Sequence, residues 1–441
     1  MPTAFMGMRG TGDFAANQVP EKWDQYILRE YPNGSAPLYA MQSMYKKETT
    51  DSHSFHWWDK SLPTQSGTVS SVYIDTDLGT EYDHATHALT NGVAGSVLYV
   101  KVAVALAKEF NPGALARLID TDQYTVEVRG RVVSTFYNGD SSYIAVQLLE
   151  DDDNGGDTYN IATVDRILRY GSAYPDGSTA PEGIVYDPDP YENYVQNYRN
   201  TFDMTVEAIS ERLRTGSSYA EDKKDCMELH SIDIEKSAFW GIKTEGTGDN
   251  GQPLRTTQGI IPFLEENYST NVLDYVSAAG VDYAGKTWLQ AGKKFLNTYF
   301  TQLFRYLSGG EVMCFCGDGA LLGIQELAEA FGEIKLVPGA KSYGLDVTTW
   351  QVPAGRVHFK THPLFSHETT NQNLMVLGHP KNAKFVPKVA GGYNFNTTFE
   401  KDMQIPGQHS KVDGFSTKAG WKWRMPRQWM VLRGIGLANT A

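Results

Sequence analysis

Between Val97 and about Tyr170 apolar and polar positions alternate with the two-residue period of a half-buried strand. Tyr124, Val126 and Val128 interleave with Thr125, Glu127 and Arg129, and Ile144, Val146 and Leu148 repeat the pattern. Asn138-Gly139-Asp140 stands between two such runs as a hairpin signal. Turn residues return at roughly ten-residue spacing, which predicts a small β-sandwich or barrel.

The period then changes. No Pro or Gly interrupts the chain from Ser218 to Trp240, and Ser218 with Glu221 three residues on has the form of a capping box. This predicts a helix of roughly 33 Å. Tyr219, Cys226, Met227, Leu229, Ile232, Ile234 and Phe239 are spread along it among dense charges, as on a strut lying over other elements. A second helix is carried by one apolar stripe: Trp288, Leu289, Phe295, Leu296, Tyr299, Phe300, Leu303, Phe304 and Leu307, closed by Gly309-Gly310. A strand from Glu311 to Cys316, a glycine turn and a third helix from about Ala320 to Phe331 follow. Strands are then expected from Leu345 to Trp350, Arg356 to Lys360, Asn373 to Leu377 and Gln428 to Arg433. That order is α+β and not a βαβ repeat, and no solenoid period is present.

The first sixty residues are less regular. Gly7, Gly10, Gly12, Gly34, Pro20, Pro32 and Pro37 interrupt them, with room for a short helix from Lys22 to Arg29. They end in Phe55-His56-Trp57-Trp58, rings that must be covered by this chain or by a neighbouring one. Residues 61–95, rich in Ser, Thr, Asp and Gly, read as extended or loop, and Tyr186-Asp187-Pro188-Asp189-Pro190-Tyr191 as a linker.

Composition narrows the function. A length of 441 residues implies two or three folded units. The net charge of −13 makes tight nucleic-acid binding unfavourable, though such a chain can line a container of DNA without adhering to it. Three cysteines, Cys226, Cys314 and Cys316, exclude a disulfide framework and fit a reducing compartment. In Cys314-Phe315-Cys316 both thiols face one side of a strand as small buried residues. No secretory signal or apolar stretch of membrane-spanning length is visible, so synthesis in the cytoplasm and no membrane partner are expected. The chain opens on Met1, from which an untrimmed start is expected.

Candidate chemistry is sparse. His53 and His56, and likewise His84 and His87 with Asp83 beside them, have a spacing that a helix would turn into paired metal ligands. The first pair lies in an aromatic run and the second in a segment without helical periodicity, so surface or stacking histidines are the reading adopted. Gly317-Asp318-Gly319-Ala320-Leu321-Leu322-Gly323 follows a strand and opens a helix, but its spacing is one residue off the dinucleotide fingerprint; a tight turn explains it. The acidic run from Glu150 to Asp157 lacks the calcium-loop pattern and reads as a solvated loop. No nucleophile elbow, Walker loop or zincin motif occurs. The expectation is therefore no catalytic, cofactor-binding or metal-binding residues, and no enzyme.

Several segments, in order, resemble one family. Ala36-Pro37-Leu38-Tyr39 followed by Phe55-His56-Trp57-Trp58-Asp59-Lys60-Ser61-Leu62 is similar to the arm of podovirus-type major capsid proteins of tailed bacteriophages. Phe110-Asn111-Pro112-Gly113 to Arg117 and Tyr124 to Arg131 resemble a small β insertion; Glu221 to Trp240 resembles a long spine helix; and Arg255-Thr256-Thr257-Gln258-Gly259 resembles the turn after it. Tyr343 to Trp350 and Arg356-Val357-His358-Phe359 resemble late paired strands.

The resemblance implies the Hong Kong 97 phage fold. On it residues 1–60 are the N-terminal arm and 61–200 an extended loop with an inserted β-subdomain at about 97–170. Residues 201–255 are the peripheral domain with the spine helix at about 218–240, 256–400 the axial domain, and 401–441 return strands. It further implies self-assembly into hexamers and pentamers of an icosahedral head enclosing double-stranded DNA without sequence-specific binding, and residence in the virion after assembly in the host cytoplasm. Portal, scaffold and decoration proteins are the further candidate partners. Trp57 and Trp58 are candidates for contacts between copies or, equally, for the intrachain core, and Trp240 is a candidate for contacts between copies for which the intrachain core is the favoured place. Two other classes stay open: a phage decoration or adhesion β-protein acting through Val97–Tyr170, and a cytosolic α+β hydrolase or oxidoreductase.

Overall fold

A computed structural model describes residues 36–42, 48–122, 126–152, 160–211, 213, 216–307, 310–331, 336–342 and 345–441; of residues 336–342 and 345–347 it describes the backbone. The expected helix from Lys22 to Arg29, the tip of the acidic run and Gly309 lie outside the described residues. In chain order the elements begin with α1 (Pro37–Gln42) and β1 (Ser54–Asp59). Next come β2 (Ser66–Tyr73), α2 (His84–His87), β3 (Val97–Val102), α3 (Val104–Ala107), β4 (Ala114–Ile119), β5 (Glu127–Phe136), β6 (Tyr143–Leu148) and β7 (Arg166–Ser172). The chain divides into two compact units, Lys60–Asp189 and the rest.

The first unit is a closed barrel of six antiparallel strands in the order β2-β3-β6-β5-β4-β7. Alternation explains it. Leu98, Val100 and Val102 of β3, Ile144, Val146 and Leu148 of β6, and Ala114, Ala116 and Leu118 of β4 all point inward and are buried. Closure leaves no strand edge unpaired. The β5–β6 connection runs through Asn138-Gly139-Asp140, with Gly139 at φ +49°. The barrel starts earlier than the expected residue 97. β2, in a segment read as extended or loop, completes it by pairing with both β3 and β7. Its polar sequence hides it, because Val69 and Val72 are its only buried side chains.

The second unit continues with β8 (Asp189–Tyr194), β9 (Gln196–Thr205), α4 (Val206–Ser210), α5 (Ser218–Trp240), β10 (Thr244–Thr247), β11 (Pro253–Thr256), α6 (Ile260–Asn267), β12 (Val272–Asp274) and α7 (Trp288–Phe304). Then follow β13 (Glu311–Cys316), α8 (Asp318–Phe331), β14 (Leu336–Ser342), β15 (Leu345–Val352), β16 (Gly355–Thr361), α9 (Pro363–Ser366), β17 (Met375–Gly378) and β18 (Ala383–Pro387). The last strands are β19 (Val389–Ala390), β20 (Tyr393–Asn394), β21 (Thr398–Glu400), β22 (Ser410–Trp423) and β23 (Met430–Arg433). Residues 190–200, expected in the extended loop, belong to this unit: β8 pairs with β1, and β9 pairs with β22 over ten residues.

A seven-stranded mixed sheet, β12-β23-β17-β13-β16-β15-β14, is covered on both faces. β13 shows how. Val312, Cys314 and Cys316 join the cluster of Trp288, Phe295, Phe300 and Leu303 from α7, while Met313 and Phe315 join Phe239 of α5 and Phe263 of α6. α7 follows its stripe except at Leu289, which is 46% exposed. Gly317 and Gly319 form the strand-to-helix turn; a Cβ on Gly317 would meet the Gln372 carbonyl oxygen at 2.2 Å. A second sheet, β18-β22-β21 with β9 beside β22, has α5 lying along it. α5 spans the expected residues, but its N-cap is Ser217, whose side chain makes no capping hydrogen bond. Ser218 already lies inside the first turn, so the expected capping box does not form.

Candidate functional site

The described part of the N-terminal segment is fastened to its own chain, and the fastening is chemical as well as hydrophobic. Leu38 and Met41 of α1 are buried, as are Phe55 and Trp57 on alternate positions of β1. Trp57 packs against Tyr191 and Phe263 with ring centroids 5.9 and 6.0 Å apart. Of the two alternatives for covering the aromatic run, the first holds for Phe55 and Trp57, which are covered by this chain. Of the three tryptophans singled out, Trp57 is core, Trp240 is partly buried against the same cluster, and Trp58 is 65% exposed.

The polar centre of this docking is Glu235 of α5, fully buried. Its carboxylate accepts from the Leu38 backbone N–H at 2.8 Å, the Tyr39 N–H at 2.7 Å and His362 Nε2 at 2.8 Å. His362, equally buried, accepts from the Leu364 N–H through Nδ1 at 3.2 Å, so the proton on Nε2 is the one facing Glu235. The first turn of a short helix leaves its N–H groups unpaired, and a carboxylate at that end satisfies them with favourable charge. Tyr39 adds a 2.9 Å hydroxyl contact to Thr397 Oγ1. Further along, Glu48 accepts from Lys422 Nζ at 3.0 Å and Arg424 at 2.7 Å. Partial burial works against the Glu48 charge, but these cations outweigh it and hold the carboxyl below its usual range.

The expected candidate residues are not brought together. His53 Nε2 lies 3.1 Å from Lys388 Nζ, and burial with the nearby cations lowers its pKa. His56 sits 3.6 Å from Glu192. His84 and His87 do stand on one helical turn, α2, contrary to the reading of no helix there. Asp83 caps it by accepting from the Ala85 N–H. His84 Nδ1 is 2.9 Å from buried Asp152, which also accepts from Tyr82 Oη at 2.8 Å. His87 Nδ1 accepts from the Asp83 N–H instead. Among the described residues no three His, Cys, Asp or Glu side chains are placed to share a metal ion. Burial pushes the Cys314 thiol well up, which removes nucleophilic character at neutral pH.

An open groove of about 470 Å³ is lined by Trp240, Lys236, Leu364, His367, Glu368 and Asn371, and a smaller pocket of about 120 Å³ shares Trp240 and Asn371 with Arg433. Glu235 and His362 are both sealed from solvent. Exposed large apolar side chains include Trp58, Ile242, Leu254 on the two-stranded β10–β11 hairpin, Leu322 and Val281. An isolated two-stranded hairpin is marginal in water. No described helix is long and apolar enough to cross a membrane.

Comparison with known proteins gives consistent matches. A family model described as SU10 major capsid protein matches residues 8–436. The major capsid protein of Pseudomonas phage PaMx41 is 25% identical over 344 residues, 77% of this chain and 72% of that one. Among solved structures, the satellite phage P4 procapsid including size determination (Sid) protein aligns with a TM-score of 0.39 at 8% identity, over 62% of this chain and 80% of that chain. A structure of Mycobacterium phage Patience aligns with a TM-score of 0.39 at 8% identity, over 62% of this chain and 79% of that chain.

Proposed function

The chain belongs to the SU10 major capsid protein family, and from that premise we propose that its copies close into the icosahedral head shell of a phage around double-stranded DNA. The family match across residues 8–436 carries this reading. The fold is assigned to the Hong Kong 97 phage type, with α5 as the spine helix of a peripheral part at 201–255 and an axial part at 256–400. Residues 401–441 return to both: β22 runs beside β9 under α5, and β23 inserts between β12 and β17. The barrel is the insertion in the extended loop. Hexamers and pentamers are the assembly units, with portal and scaffold proteins as partners, and the shell forms in the host cytoplasm before residing in the virion.

The role is structural and non-catalytic. Supporting it, the titratable groups that meet at Glu235 hold a segment in place, and the family matched is one of major capsid proteins. The driving term for assembly is burial of exposed apolar side chains such as Trp58 and Leu254, at about 25 cal/mol per Å². Electron microscopy of the purified full-length chain tests the reading. Closed shells made of this chain are the expected result. A compact monomer with turnover, or particles in which this chain only decorates another protein's shell, would overturn it.

A further inference from the structure

The outside of the barrel carries rings where a solvated strand face would carry polar groups. Two adjacent rows cross four strands in register. Tyr73 of β2 faces Tyr99 of β3, which faces Ala145 of β6, which faces Ser134 of β5. Beside it, Lys101 of β3 faces Tyr143 of β6, which faces Phe136 of β5. The neighbours of these residues, Val72, Leu98, Val100 and Ile144, fill the interior, so the rings point out. They form one connected surface: Tyr99 meets Tyr143 edge-on at 5.3 Å, and Phe136 stacks on Tyr143 at 5.2 Å. Phe136 is 46% exposed, and Tyr137 next to it 49%.

Charge identifies what fits there. Residues 60–189 hold 8 Lys and Arg against 19 Asp and Glu, a net of −11, whereas the whole chain carries −13. Of the barrel's arginines, Arg117 and Arg129 both pair with Glu127 at 2.6 Å, and Arg131 stands opposite Gln147 of β6, one row beyond Ala145. The acids next to the rings are Asp77, whose charge reaches Tyr143, and Glu81, which accepts from Tyr73 Oη at 3.2 Å. Lys101 is the one cation in the two rows. A second barrel of the same charge is repelled from this face. A cationic side chain is attracted twice, by the ring faces and by the carboxylates.

We infer that the Tyr73–Tyr99–Tyr143–Phe136 face is a docking surface for an arginine- or lysine-rich segment of another protein. The inference goes beyond shell formation and does not depend on it. Binding is measured by fluorescence anisotropy of a labelled alternating arginine–glycine peptide on the full-length protein at low salt, with a glutamate–glycine peptide as control. Phe136→Ser and Tyr143→Ser leave the charge unchanged and should each weaken binding about threefold, the double variant about tenfold. Phe136→Leu keeps apolar bulk without a π face, folds whether or not the serine variants do, and should weaken binding equally. Asp77→Asn should weaken it and flatten its salt dependence. Peptide affinity unchanged in Phe136→Leu would reduce the effect to net charge and overturn the inference. So would ring-dependent binding of neutral cello-oligosaccharides with no binding of the arginine peptide. Ring variants that change only the self-association of unassembled subunits would overturn it as well.

Discussion

Replacing Glu235 by Ala removes the acceptor for three donors at once, and the consequence can be sized. The Leu38 and Tyr39 N–H groups and His362 Nε2 lie 2.7–2.8 Å from its carboxylate, and Glu235 and His362 are both fully buried. A donor left without an acceptor in the interior costs about 1–3 kcal/mol, and here three donors lose theirs together. Tyr39 is only partly buried and recovers some of its loss to water, so about 3–4 kcal/mol is the working figure. At 1.4 kcal/mol per tenfold, detachment of α1 becomes about two to three orders of magnitude more frequent. Leu38 and Met41 still favour docking through their buried area, so the rest of the fold should persist. Hydrogen exchange read on a peptide covering residues 36–42 should show this loss of protection, with the sheet around β13 unchanged. Glu235→Gln should fall between: it keeps one acceptor oxygen but turns an N–H toward a donor. Amides of Leu38 and Tyr39 that stay as protected in Glu235→Ala as in the parent would refute the assignment of the carboxylate as the tie.

Three further outcomes follow from the same coordinates. Gly317→Ala should destabilise by about 1–3 kcal/mol in a denaturant titration, because its Cβ would meet backbone of Gln372 and not a side chain that can turn away. His230, buried with its ring nitrogens 2.7 Å from Asn200 Oδ1 and Thr417 Oγ1, has its pKa lowered by burial, with Asp233 opposing. The unfolded chain therefore takes up the proton first, so the contribution is complete above about pH 6.5 and is lost as pH falls from there toward the folded value. His230→Gln should flatten that acid limb in a melting-temperature series, and a parallel curve would count against it. Trp58→Ser, at a position 65% exposed, should leave subunit stability within about 0.5 kcal/mol and lower the yield of closed shells in micrographs. Full yield would remove Trp58 from the contacts between copies.

The legible parts of the fold were those where one physical term dominated. The stripe of α7 and the alternation of β3, β4 and β6 each bury a continuous apolar face, so period alone locates them. β13 is apolar at nearly every position because both its faces are covered. β2 gave no such signal, with two inward valines among serines, and in β9 the alternation rests on Tyr198, Phe202 and Met204 alone among polar residues. Nor could spacing reveal the Glu235 tie. Its partners lie 127, 196 and 197 residues away, and only the packing of α1 and α9 on α5 brings them to one carboxylate. The histidine pairs fail for the opposite reason: a local spacing that suits a metal is used by capping and single carboxylate contacts once the chain is folded.

The two units divide the charge in a way that suits their separate work. Outside residues 60–189 the remaining chain holds 31 Lys and Arg against 33 Asp and Glu, a net of −2. Copies that must lie edge to edge in a closed shell approach well within the screening length of about 8 Å at physiological ionic strength, where like charges are least screened. A nearly neutral body can make such contacts without accumulating repulsion, and burial of its exposed apolar side chains is then not opposed. Two barrels, each at −11, repel one another on those terms. A surface of opposite sign is favoured instead, and the external rings beside Asp77 and Glu81 have the chemistry for it. With the acid concentrated in one unit, contacts between copies made through the other, nearly neutral unit would meet little like-charge repulsion.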